Sequence, residues 1–289
     1  MRSTTPLVAV CLATAGCDPL QWGFPRVADP QTLVGFASLP ADTFAVGPTS
    51  GQFINPTNGV TPPFVNRQPV QGFSSVLRAS NGDFLVLPDN GFGAKATSAD
   101  FVLAASRGFE GIALPPGGKQ IYAMLESPIA GADPQNLVIH EFDLERRRYT
   151  GRQWTYRLDV PGHSVGDFTA VTDRLFVAVE RDDAQGDAAR FKKIFLVDLD
   201  KRDPSGVLVK HLVADLLNLA DPDLVGGTTT RFRFPFQTIE SVIPLGPNEL
   251  GVLNDNNYPF STGRAPDRPD PNEFILIRLN RPLDQYANK

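Results

Sequence analysis

Six carboxylates, Asp89, Glu110, Glu126, Glu180, Glu240 and Asp255, recur along the chain together with the amides of Asn90, Asn254 and Asn256. Their oxygens are hard ligands of the kind that Ca²⁺ or Mg²⁺ prefers. Carboxylates gathered at one place repel one another unless a cation or a proton intervenes. A Ca²⁺ held among them could bind phosphate oxygens and activate water, which is the logic of metal-assisted phosphoester hydrolysis. Lys95, Arg107, Arg181 and Arg264 lie near the same stretches and could clamp the oxygens of a small anionic ester. The expected catalytic residues are Glu110, Asp255, Lys95 and Arg264. The expected metal ligands are Asp89, Asn90, Glu110, Glu126, Glu180, Glu240, Asp255 and Asn256. Acids at strand ends also cap turns or pair with arginine, so each ligand has a structural alternative.

The elements that must position these groups form a repeat. Ser74 to Asp89, Glu110 to Glu126, Asp167 to Glu180 and Glu240 to Asp255 each enclose an apolar run, a turn, a second apolar run and a closing acid. The turns are Asn81-Gly82, Pro116-Gly117-Gly118, Thr172-Asp173 and Gly246-Pro247-Asn248. Such hairpins at blade-like intervals predict an all-β protein, a β-propeller of five or six blades whose inner strands converge on a channel. Further short runs rich in Val, Ile, Leu, Phe and Tyr read as strands, among them Leu137 to Leu144, Gln153 to Leu158, Lys193 to Leu199 and Phe274 to Leu279. Val207 to Leu219 carries leucines at helical spacing beside strand-like pairs, and predicts a strand running into one helical turn. Residues 48–71 and 262–272, rich in Pro and Gly or Asn, read as long loops.

Composition fits this architecture. The 289 residues hold 25 Gly and 26 Pro but only two Met and two Trp, which suits a turn-rich single domain spanning 18–289. A formal charge of −5 and a pI near 5.3 give no basic footprint, so nucleic acid is not an expected partner. Met1-Arg2 followed by the apolar stretch Pro6 to Ala15 and by Thr14-Ala15-Gly16-Cys17 reads as an export signal over residues 1–17, too short to span a bilayer. Ala15-Gly16-Cys17 also resembles the end of a lipoprotein box, and a lipid on Cys17 would be the tie to a membrane. The expected location is periplasmic, cell-surface or secreted. Cys11 and Cys17 are the only cysteines, so the domain after them holds no disulfide.

Two motifs compete with the acids. Gly162-His163-Ser164-Val165-Gly166 matches the G-x-S-x-G nucleophile elbow, but that motif needs a strand, a sharp turn and a helix, whereas here another strand follows. Ser164 therefore reads as a loop serine. Phe232, Phe234 and Phe236 alternate with Arg231, Arg233 and Pro235, as on an edge strand.

The string Asp89-Asn90-Gly91-Phe92-Gly93-Ala94-Lys95, then Arg107-Gly108-Phe109-Glu110-Gly111, then Val179-Glu180-Arg181-Asp182, and finally Asn254-Asp255-Asn256-Asn257-Tyr258-Pro259 resemble the phytase-like family, labelled esterase-like activity of phytase. The resemblance implies an exported propeller-like domain with metal-dependent phosphoester or ester hydrolase activity. Family members carry about two further blades between Leu103 and Ala104. Without that segment the ring closes with fewer blades, stays incomplete, or closes through a partner. The alternative function is a non-catalytic binding or self-assembling module with a structural cation. Its exposed sheet edge near residues 101–108 would take a protein partner or build an oligomer. A lactonase-like calcium hydrolase is a third reading.

Overall fold

Short runs of β-branched and aromatic residues fill most of the chain, and the computed structural model, which describes residues 29–88, 109–129 and 131–287, turns nearly all of them into strands. In chain order these are β1 (Thr32–Leu39), β2 (Phe44–Val46), β3 (Arg67–Pro69), β4 (Phe73–Arg78), β5 (Phe84–Pro88), β6 (Phe109–Ala113), β7 (Gln120–Leu125), β8 (Asn136–Asp143) and β9 (Arg148–Arg157). They continue with β10 (Ser164–Ala170), β11 (Leu175–Arg181), β12 (Lys192–Arg202), β13 (Leu208–Asp215), β14 (Leu219–Ala220), β15 (Arg231–Phe232), β16 (Thr238–Gly246), β17 (Glu249–Asp255) and β18 (Asn272–Arg278). Among the described residues, helix is limited to 3₁₀ turns at Gly186–Ala188 and Leu283–Tyr286. None is long and apolar enough to cross a membrane.

The strands group into antiparallel meanders. β6 to β9 form one four-stranded sheet and β10 to β13 another. A third begins β16, β17, β18 and is continued by β1, so the described chain's first strand lies beside its last, Thr32 opposite Arg278. β4 and β5 make a hairpin whose inner strand lies against β16. The inner strands stand abreast in the order β6, β10, β16, β4. Successive meanders with neighbouring inner strands, one of them shared between distant parts of the chain, make this a propeller-like all-β fold. Among the described residues no sheet closes on itself as a barrel.

The central sheet is covered on both sides, and β11 shows how its sequence allows this. Successive side chains of a strand point to opposite faces. Leu175, Val177 and Val179 pack with Val242, Leu250, Val252, Ile275 and Ile277. Phe176 and Ala178 pack with Tyr122, Met124, Ile139, Trp154 and Tyr156 of the preceding sheet. Phe176 stacks on Phe168 with ring centroids 4.8 Å apart. Side chains also stitch the inner strands together: Val242 N donates to Asp167 Oδ2 at 2.7 Å, and Val76 N to Ser241 Oγ at 3.2 Å. Burial pushes the Asp167 carboxyl up to about 6, although Val242 N, Phe168 N and the Thr169 hydroxyl all favour its anion.

Two expectations are corrected. After β13 the chain makes a plain turn, Asn218 N donating to Asp215 O at 3.0 Å, where a helical turn was expected. Pairing of β13 with β12 satisfies the backbone, and Leu208, Val213, Leu216 and Leu219 bury from a strand and turn just as leucines at helical spacing would. The loop over 48–71 contains β3, which pairs with β2.

Candidate functional site at the inner strand ends

Four inner strands carry one residue more than their partners. The ladder passes over Ser74 between Phe73 and Ser75, Glu110 between Phe109 and Gly111, Gly166 between Val165 and Asp167, and Glu240 between Ile239 and Ser241. Such β-bulges re-aim a side chain out of the pleat. On the neighbouring strands Pro88, Leu125, Glu180 and Asn254 face Phe73, Phe109, Val165 and Ile239. In the last three hairpins the next residues along, Glu126, Arg181 and Asp255, are therefore the equivalent closing positions. In the third hairpin this differs from the sequence reading, which paired Asp167 with Glu180. The register selects Gly166 and Arg181 instead, because one residue of offset moves a side chain to the other face.

Around Arg181 the inner ends of several strands meet. Its side chain is 4 % exposed, and Nη2 lies 3.1 Å from Glu126 Oε1 and 3.9 Å from Glu240 Oε1. Nη1 bonds Asp183 Oδ1 at 2.9 Å. Glu240 accepts a bond from the Ser74 hydroxyl at 3.2 Å. Burial, then the charges of Asp255 and Glu110, push the Glu240 carboxyl up to about 8, against the opposite pull of Arg181 and Ser74. Asp255 Oδ1 accepts Asn257 N at 2.8 Å. The structure thus brings together Ser74, Glu110, Glu126, Glu240 and Asp255 with Arg181.

Glu180, expected beside them as a metal ligand, faces the other way. Oε1 accepts Asp159 N at 2.7 Å and lies 3.3 Å from His163 Nδ1, while Oε2 accepts Lys210 Nζ at 2.6 Å and Tyr156 Oη at 3.0 Å. It anchors the seam between the sheets of β6 to β9 and β10 to β13. Arg264, expected to clamp substrate, is instead engaged inside the fold. Nε donates to Glu273 Oε1 at 2.7 Å, Nη2 to Glu273 Oε2, and Nη1 to Arg233 O at 2.7 Å. Its guanidinium lies 4.9 Å from the ring centroids of both Phe232 and Phe236, so the aromatic run builds a cation–π cage. Asn256 is buried, its Nδ2 bound to Asp270 O at 2.9 Å and its Oδ1 without a hydrogen-bond partner. Asp89, Asn90, Lys95 and Arg107 lie outside the described residues. Ser164 is a fully buried residue opening β10 rather than a loop serine, and no helix follows it.

Calcium needs six to eight oxygens. Among the described residues no three Asp, Glu, His or Cys side chains are arranged to hold a metal ion. The positive charge beside Glu126 and Glu240 is the Arg181 guanidinium. A groove of about 740 Å³ at the opposite strand ends is lined by Leu175, Pro244, Pro247 and Leu283, with Asp284 its single ionisable side chain. It offers none of the paired chemistry of the acid cluster.

Bulged hairpins that aim polar side chains toward one another from adjacent sheets define a propeller-type protein with an ionic inner site. A family model described as "Phytase-like: Esterase-like activity of phytase" matches residues 94–258, more than half of the chain, and the protein belongs to that family. This membership points to a phosphatase- or esterase-like hydrolase. No curated protein matches the chain.

Proposed function

We propose that the protein is an exported hydrolase of small anionic phosphoesters or esters, acting at Glu240, Asp255 and Glu110 beside Arg181. The observation that supports this is the meeting of these four groups at the inner strand ends of neighbouring sheets. Glu240, crowded by like charges, is the carboxyl best suited to keep a proton and give it to a leaving oxygen. Asp255 and Glu110 are suited to accept one from water, and Arg181 to hold negative charge that develops beside Glu240. The test is turnover by purified protein on a panel of phosphomonoesters, phosphodiesters, phytate and carboxylic esters. Activity that falls at least about a hundredfold in Glu240→Gln and Asp255→Asn is expected. A folded protein inert on the whole panel, or Glu240→Gln with full activity, would overturn the reading.

A second reading, self-association, is favoured by one observation. Leu77 and Leu85, paired across the β4–β5 hairpin, are 64 % and 61 % exposed, and Ile112 on β6 is 62 % exposed. They lie on the two outer faces of the row β6, β10, β16, β4, where a propeller blade would normally be covered by its neighbour. A second copy related by a two-fold axis would set each face against the other. Sedimentation equilibrium should give a dimer that Leu85→Asp or Ile112→Asp separates, and a monomer at high concentration would reject it.

A further inference from the structure

We infer that Arg181 is a built-in counter-ion standing where a metal ion would otherwise bind, so that the protein gathers its inner carboxylates without calcium. The position is set by the ladder. Closing residues equivalent by register in three hairpins are Glu126, Arg181 and Asp255, so one hairpin carries a cation where the other two carry acids. The bulge positions are Ser74, Glu110, Gly166 and Glu240, and the same hairpin is the one that lacks a polar side chain there.

The two exceptions belong together. A Cβ on Gly166 would lie 2.1 Å from Ile239 O and 3.3 Å from Arg181 Nε. No side chain fits between the two inner strands at this point, and the space next to it is filled by the guanidinium from β11. The Nε–H itself is buried and finds no acceptor. The group is thus placed for its charge rather than for complete hydrogen bonding. From there it reaches Glu126 of one neighbouring sheet and Glu240 of the other, at 3.1 and 3.9 Å, while Asp183 holds it from behind at 2.9 Å. A guanidinium stays charged at any physiological pH and spreads its charge over several donors, so it can serve acids from two sheets at once. The described residues correspondingly form no metal-holding trio.

This inference concerns charge compensation and stands apart from the hydrolase reading, and its test reads stability and binding instead of turnover. Thermal unfolding of the full chain should give one midpoint with millimolar Ca²⁺ or with EDTA, and calorimetry should show no stoichiometric Ca²⁺ binding. Arg181→Met should lower the midpoint by several degrees, while Arg181→Lys should keep most of it. Adding Glu126→Gln to Arg181→Met should recover part of the loss, since a neutral partner at 3.1 Å needs no counter-charge. A packing role alone would leave that loss unchanged. Stoichiometric Ca²⁺ binding by the wild type, a calcium-dependent midpoint, or a double variant Arg181→Met/Glu126→Gln no more stable than Arg181→Met would overturn the inference. If Arg181→Met does not fold, the wild-type calorimetry decides.

Discussion

Glu180 and Glu240 lie at the inner ends of adjacent sheets and live in opposite surroundings. Glu180 is completely buried and meets donors on both oxygens: a backbone amide, His163, Tyr156 and Lys210. Glu240, with its side chain 15 % exposed, meets one hydroxyl and a guanidinium at 3.9 Å, and is crowded by Asp255 and Glu110. The first is an ion held in place, the second a carboxyl that holds its proton. The difference comes from one residue of register. Glu180 sits a position before the closing residue and points into the seam between sheets, whereas Glu240 occupies a bulge and points to where the strands converge.

The largest effect that separates them is expected from Glu180→Gln. Removing this charge strips Lys210 of one of its two carboxylate partners and leaves Tyr156 facing a neutral amide. Breaking a buried ion pair costs about 3–5 kcal/mol, and the lower end applies here because Lys210 keeps Asp159 at 2.5 Å. Urea unfolding measures it, and a variant within error of wild type would show that Glu180 is no anchor.

Glu240→Gln should behave in the opposite sense. The folded carboxyl titrates near 8 against an ordinary 4.5, so the folded state binds the proton more tightly than the unfolded chain does. Stability from this group is therefore fullest below about pH 4.5 and declines as pH rises toward 8. Glutamine mimics the protonated form and should flatten that slope, leaving the variant about 1–2 kcal/mol more stable than wild type at pH 8 once partial solvent screening is counted. Unfolding midpoints across pH 5 to 8 check this, and identical slopes would remove the contrast with Glu180.

Much of this arrangement was legible in the sequence. The turns at Asn81-Gly82, Pro116-Gly117-Gly118 and Thr172-Asp173 and the flanking apolar runs are local signals, and the hairpins stand where those signals put them. The convergence of Ser74, Glu110, Glu126, Glu240 and Asp255 followed from treating the hairpins as copies. The frame of the third copy was not legible. Both Asp167 and Glu180 are acids at plausible spacing, and only the paired ladder reveals that the bulge falls on Gly166 and the inner position on Arg181. The partners of Glu180 come from the outer strands β9 and β13 and from the connection between β9 and β10, and the cage around Arg264 is likewise non-local, so neither leaves a pattern in the sequence. The pairing of β1 with β18 joins Thr32 to Arg278, a contact that no local periodicity encodes.

The smallest effects sharpen the comparison to single hydroxyls. Tyr156 Oη and Ser74 Oγ each donate to a glutamate, at 3.0 and 3.2 Å. A hydrogen bond to a charged acceptor contributes about 1.5–3 kcal/mol, and one to a neutral acceptor about 0.5–1.5 kcal/mol. Tyr156→Phe, whose acceptor is the ion-paired Glu180 in a fully buried seam, should cost about 2 kcal/mol. Ser74→Ala, at a carboxyl that carries a proton at neutral pH, should cost about 0.5 kcal/mol there and more as pH passes 8 and the anion forms. The ratio of the two losses thus reports the charge on each glutamate without mutating either. Equal losses that do not change with pH would mean that Glu240 is as ionised as Glu180, and the proton assigned to it would have to be withdrawn.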